Sequence, residues 1–138
     1  MTKQGTILIV DDNKGVLAAI DMLLSGTFKK VITISNPNRI PAMLETESID
    51  VVLLDMNFSS GINNGNEGIF WLGEIRKISN DLPVVLFTAY ADIELAVKTV
   101  KEGATDFVVK PWDNAKLIAT LLSAYRLRQS QTEVKQLR

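Results

Sequence analysis

The chain has 138 residues, 46% hydrophobic and 22% charged, which suits one compact domain with a real core and excludes a disordered segment or two separate domains. It has no cysteine and no histidine, so disulfides, thiolate nucleophiles, imidazole bases and Cys/His zinc sites are excluded, leaving Asp, Glu, Lys, Ser, Thr and Tyr to do any chemistry. The net charge of −1 divides into +3 over the last thirteen residues (Arg126, Arg128, Lys135 and Arg138 against Glu133) and −4 over the rest, so the body lacks a basic face for nucleic acid and its acids suit a cation.

No run reaches the roughly 18 consecutive apolar residues of a membrane span, and the first six residues lack the apolar core of a signal peptide. The expectation is a cytoplasmic protein without membrane contact.

Short β-branched runs alternate with longer periodic stretches. Thr6 to Val10 is an apolar strand ending at Asp11, and Val16, Leu17, Ile20, Leu23 and Leu24 then recur at helical spacing up to Gly26. Lys30 to Ile34 gives a second strand, with Pro37 near the start of a weaker helix carrying Ile40, Met43 and Leu44. Val51 to Leu54 is apolar on both faces, as a central parallel strand requires, and runs directly into Asp55. A polar, turn-rich loop over 58–67 precedes a third helix with Ile69, Leu72, Ile75 and Ile78. Pro83 to Phe87 reads as strand four, Ile93 to Val100 as helix four with Gly103 at its end, and Asp106 to Val109 as strand five. The last helix begins near Asp113 or Asn114, with Leu117, Ile118, Leu121, Leu122 and Tyr125 on its buried side. Residues 126–138 are polar with sparse apolar positions, which suits a helical linker or the start of a coiled coil as well as a frayed end.

This alternation predicts an α/β domain with a parallel sheet covered on both faces, and ligands in such sheets bind beyond the carboxyl ends of the strands. Asp11 and Asp12, Asp55, Thr88 and Lys110 follow strands one, three, four and five. Each alone has an ordinary explanation: a helix cap, a turn residue, a loop hydroxyl, a surface charge. Together at one sheet edge they make a site. Three converging carboxylates repel unless a cation compensates them, and oxygen ligands favour magnesium or manganese.

These positions resemble the receiver domain of two-component response regulators over roughly Thr6 to Tyr125. The resemblance rests on Asp11-Asp12, on Asp55 after Val51-Val52-Leu53-Leu54, on Thr88-Ala89 and on Lys110-Pro111, with Phe107 where the family carries its aromatic switch residue. It implies a doubly wound, flavodoxin-like (βα)5 fold with strand order 2-1-3-4-5. It implies that Asp55 accepts a phosphoryl group from a sensor histidine kinase. Asp11, Asp12, Asp55 and the Asn57 backbone carbonyl would hold Mg2+ or Mn2+. Thr88, Lys110 and the Ala89 amide would contact the phosphoryl oxygens, and Thr88 and Phe107 would switch the face of helix four, strand five and helix five. The domain would be a phosphoacceptor, not an enzyme on a separate substrate.

The segments Thr88-Ala89-Tyr90 and Glu102 to Phe107 leading into Lys110-Pro111-Trp112 resemble the receivers of NtrC-like, sigma-54-dependent activators. That resemblance implies a receiver over 1–125, a helical linker over 126–138 toward an absent output domain, and a homodimer through helices four and five or the tail. DNA would be contacted only through that output domain. The loop departs from the family: Phe58-Ser59 replaces the usual Met-Pro, and Gly68 stands thirteen positions after Asp55, several more than usual. A haloacid-dehalogenase-type phosphatase would need an aspartate at position 57, where this chain has Asn57, and a flavin carrier would need a hydroxyl- and glycine-rich loop in place of Asp11-Asp12-Asn13-Lys14. A non-phosphorylated docking module is the alternative from another functional class.

Overall fold

A computed structural model describes residues 3–56 and 66–136. Strands β1 (Thr6–Val10), β2 (Lys30–Ile34), β3 (Val51–Asp55), β4 (Val84–Ala89) and β5 (Asp106–Lys110) form one sheet in the order β2-β1-β3-β4-β5. All the neighbouring pairs are parallel. The helices are α1 (Lys14–Leu24), α2 (Ile40–Thr46), α3 (Asn66–Ile78), α4 (Ile93–Lys101) and α5 (Asn114–Gln136). The predicted fold class and strand order are therefore observed. No helix among the described residues is long and apolar enough to cross a membrane.

Strand side chains alternate between faces, so the sheet sorts its apolar residues into two cores. Ile7, Ile9, Leu53, Val85, Phe87 and Val108 meet Leu17, Ile20 and Leu24 of α1 and Leu117, Leu121 and Tyr125 of α5. Leu8, Val10, Val52, Leu54, Val84 and Leu86 meet Ile40 of α2, Leu72 and Ile75 of α3 and Ala96 of α4. Each large side chain so buried contributes about 1.5–3 kcal/mol before the entropy of ordering it.

Three strand ends differ from the sequence reading. Asp55 is the last residue of β3, Thr88 and Ala89 belong to β4, and Lys110 closes β5, so these groups sit within strand ends and not after them. The reason is continued pairing: Asp55 is opposite Phe87, Ala89 is opposite Lys110, and the Met56 amide donates to the Phe87 carbonyl at 3.1 Å. Pro37 opens a 3-10 turn (Pro37–Arg39) rather than α2 itself, with Asn36 Oδ1 accepting from the Asn38 amide at 2.9 Å.

The end opposite the candidate site is tied by Arg76. Its guanidinium donates to the Leu82 carbonyl at 2.6 Å and to the Gly103 carbonyl at 2.9 Å, joining α3 to the turn before β5. Burial pushes this guanidinium below its ordinary value, and the Asp81 charge opposes that. Asp81 also accepts from Arg128 of α5 at 3.1 Å. Upstream, Tyr125 packs edge-on against Phe28 at 6.3 Å, and Gly5 at φ +76° lies where any Cβ would strike the Tyr125 ring.

Candidate functional site

β1 and β3 are adjacent, and the chain leaves them toward opposite faces of the sheet: α1 packs on one side and α3 on the other. The carboxyl ends of these two strands therefore flank the switch-point crevice. Asp11 is fully buried, Asp55 is 5% exposed and Asp12 is exposed. One carboxylate oxygen from each lies within 4.8 Å of the others.

Capping does not account for the acidic pair. The α1 N-cap is Asn13, whose Oδ1 accepts from the Val16 amide at 3.1 Å. Asp11 Oδ1 instead accepts from the Asn13 amide at 2.9 Å, which fixes the carboxylate and turns Oδ2 toward Lys110.

Lys110 Nζ donates to Asp11 Oδ2 at 2.8 Å and to Asp55 Oδ1 at 3.2 Å. Burial works against its charge, but the hydrogen bond it donates to Asp11 and the charges of Asp55 and Asp11 outweigh it, so the ammonium titrates above its ordinary range. Burial, then the charge of Asp11, raise Asp12 above the usual carboxylate value, with Glu67 adding and Lys110 opposing. Three carboxylates face one ammonium. An all-oxygen, net-negative donor set of this kind fits a hard divalent cation such as magnesium or manganese.

Thr88 is buried, and its hydroxyl donates to the Ala89 carbonyl at 3.3 Å. The register pairs Thr88 with Val109 and Leu86 with Phe107, so Thr88 and Phe107 share the α2–α4 face of the sheet. Phe107 is partly buried against that core. Asp11, Asp55 and Lys110 are brought into contact, while Thr88 and Phe107 approach from the other face. Asn57, and the predicted loop up to residue 65, lie outside the described residues. The chain is back on the site by Gly68, whose amide donates to the Met56 carbonyl at 3.0 Å.

Two aromatic residues near the site have no site role in the sequence reading. The Lys110 ammonium stands 4.8 Å from the centroid of the Phe87 ring, and Trp112 packs against that ring at 5.6 Å. The signal for Phe87 was its place one residue before Thr88, but its meeting with Lys110 follows from strand register and not from spacing.

The strand order and the acidic, lysine-bearing switch point define a receiver-type domain. The chain belongs to the response regulator receiver domain family, whose match spans residues 7–122. It is similar to the DNA-binding transcriptional regulator NtrC of Salmonella typhimurium (28% identical over 131 residues, covering 95% of this chain and 27% of that protein). It is also similar to the transcriptional regulatory protein ZraR of Klebsiella oxytoca (32% over 122 residues, 88% and 26%). Among solved structures, the N-terminal signal receiver domain of a two-component system response regulator from Bacteroides fragilis is 62% identical, with a TM-score of 0.82, covering 89% of this chain and 98% of that one. NtrX from Brucella abortus is 28% identical with a TM-score of 0.86, covering 98% and 30%. The chain thus spans about a quarter of the length of these curated relatives.

Proposed function

We propose that this receiver accepts a phosphoryl group on Asp55 from the phosphohistidine of a sensor histidine kinase, and that the modification switches the α4–β5–α5 face. The observation that carries the reading is the contact of Lys110 with both Asp11 and Asp55 beside the exposed Asp12. A carboxylate oxygen of Asp55 attacks phosphorus, and the bond to the donor breaks with its electron pair, leaving imidazole, or acetate when acetyl phosphate is the donor. No proton is taken by this chain, which suits one without histidine.

Asp11, Asp12, Asp55 and the Asn57 backbone carbonyl would hold magnesium, which when bound supplies charge neutralisation to the phosphoryl oxygens. Lys110 shifts from the Asp55 carboxylate to a phosphoryl oxygen, with the Thr88 hydroxyl and the Ala89 amide as further donors. Thr88 exchanges its bond to the Ala89 carbonyl for one to the phosphoryl group, and Phe107 follows on the same face of the sheet.

Residues 1–125 form the receiver and 126–138 a helical linker to an output module of the NtrC type, in a cytoplasmic, dimeric regulator. DNA contact belongs to that module. Phosphotransfer from a labelled histidine kinase to wild type and to Asp55→Asn tests the acceptor: label in the wild type alone supports it, and equal label in both moves the acceptor elsewhere.

A further inference from the structure

The register places Phe87 opposite Asp55 on one side and opposite Val108 on the other, while Ala89 is opposite Lys110. Lys110 therefore lies two residues beyond Val108 on the same sheet face as Phe87, close enough for its stem to cross the ring. The ring itself is fully buried. Trp112 braces it from the side, and the Trp112 indole donates to Asn114 Oδ1 at 2.8 Å, which anchors the brace to the start of α5.

We infer that Phe87 is a positioning residue for phosphoryl transfer: its ring face, braced by Trp112, holds the Lys110 ammonium over Asp55. The inference rests on the role given to Lys110 above. A lysine stem has many rotamers, and the Lys110 side chain keeps 26% of its exposure, so carboxylate contacts alone compete with orientations in water. The negative face of an aromatic ring attracts the ammonium at this 4.8 Å distance. That attraction does not depend on the ionisation of Asp55, so it persists while the acceptor changes from carboxylate to acyl phosphate. An aliphatic residue at this position would be apolar enough for the core but would give no such hold.

The test replaces Phe87 site-specifically with phenylalanines carrying one, two or three ring fluorines, which weaken the ring's negative face with little change of shape. Phosphoryl incorporation from acetyl phosphate with magnesium is followed by intact mass. The rate falls stepwise with fluorine count, roughly three- to tenfold across the series, and the dependence disappears in Lys110→Gln. A second readout needs no phosphorylation: the Lys110 ε-methylene protons, shifted upfield by the ring current in wild type and in Asp55→Asn, return to ordinary lysine values in Phe87→Leu. Flat rates across the fluorinated series, or ε-methylene shifts unmoved by Phe87→Leu, overturn the inference. If wild type takes up no phosphoryl group, the acceptor reading fails by itself and the ring-current shift alone decides whether Lys110 lies over Phe87.

Discussion

Lys110 is bonded more closely to Asp11 than to Asp55, at 2.8 Å against 3.2 Å. Asp11 is fully buried and its other oxygen is occupied by the Asn13 amide. The lysine is thus moored to Asp11, and its contact with Asp55, the proposed acceptor, is the longer one. Removing the ammonium leaves buried negative charge without its cation. Lys110→Gln is expected to destabilise the magnesium-free protein by about 1–3 kcal/mol, with the loss shrinking when magnesium is added. Urea denaturation with and without magnesium measures this; an equal loss in both conditions would show that the lysine does not compensate the acidic cluster.

At the proposed cation site, Asp12 is the carboxylate whose titration should set the pH dependence of magnesium binding. Burial and the neighbouring Asp11 hold it above the ordinary carboxylate value in the folded chain. For a carboxylate raised in this way, the stabilising contribution is present at low pH and is lost as pH rises through the folded value. A cation needs the deprotonated form, so the magnesium-induced rise in Tm should grow over that same window. Melting curves taken between roughly pH 4 and 7 should show a magnesium effect that increases with pH. Asp12→Asn should respond little to the ion at any pH in this range. A magnesium effect in Asp12→Asn equal to that of wild type would remove Asp12 from the cation site.

Gly68 fixes the start of α3 against the strand end that carries Asp55. A Cβ there would lie 2.6 Å from Met56 Cα, a backbone atom that yields only if α3 or the end of β3 shifts. Gly68→Ala should cost about 1–3 kcal/mol and slow phosphorylation of Asp55. Gly73 has open space for a Cβ, so Gly73→Ala in the same helix is the control and should be neutral or slightly stabilising. Equal stability of the two variants would contradict the close approach.

Self-association should respond to the phosphorylated state. Tyr90 is 80% exposed just before α4, Val97 is 39% exposed on it, and Leu127 is 45% exposed on α5 beyond the main body of the sheet. A phosphoryl mimic such as beryllofluoride with magnesium should raise the weight-average mass in light scattering. One constant mass across protein concentrations, with and without the mimic, would count against a phosphorylation-dependent dimer.

Much of the fold could be read from residue order because the strands are short apolar runs, each with a turn signal close behind. Val51 to Leu54, buried on both sides, is recognisable by its lack of alternation. The acidic cluster was legible because sheet topology alone brings Asp11, Asp12 and Asp55 to one edge. Strand ends were less so: Thr88 and Ala89 continue β4 because their partners in β5 continue, which is information held by another segment of the chain. The contacts of Arg76 with Leu82 and Gly103, and of Arg128 with Asp81, depend on side chains crossing between elements and leave no periodic signal. The Phe87 ring under Lys110 belongs to the same class. Its residue type reads as core, and only the β4–β5 register shows what stands over it.

Asp55 as the phosphorylated residue is tested by mapping the modification to its position in the chain. Protein treated with acetyl phosphate and magnesium is reduced with borohydride, which converts an aspartyl phosphate to homoserine, and is then digested and sequenced by mass spectrometry. Homoserine is expected at position 55 alone, dependent on magnesium and absent without acetyl phosphate. Homoserine at another aspartate, or none at position 55 while intact protein carries a phosphoryl group, would contradict it.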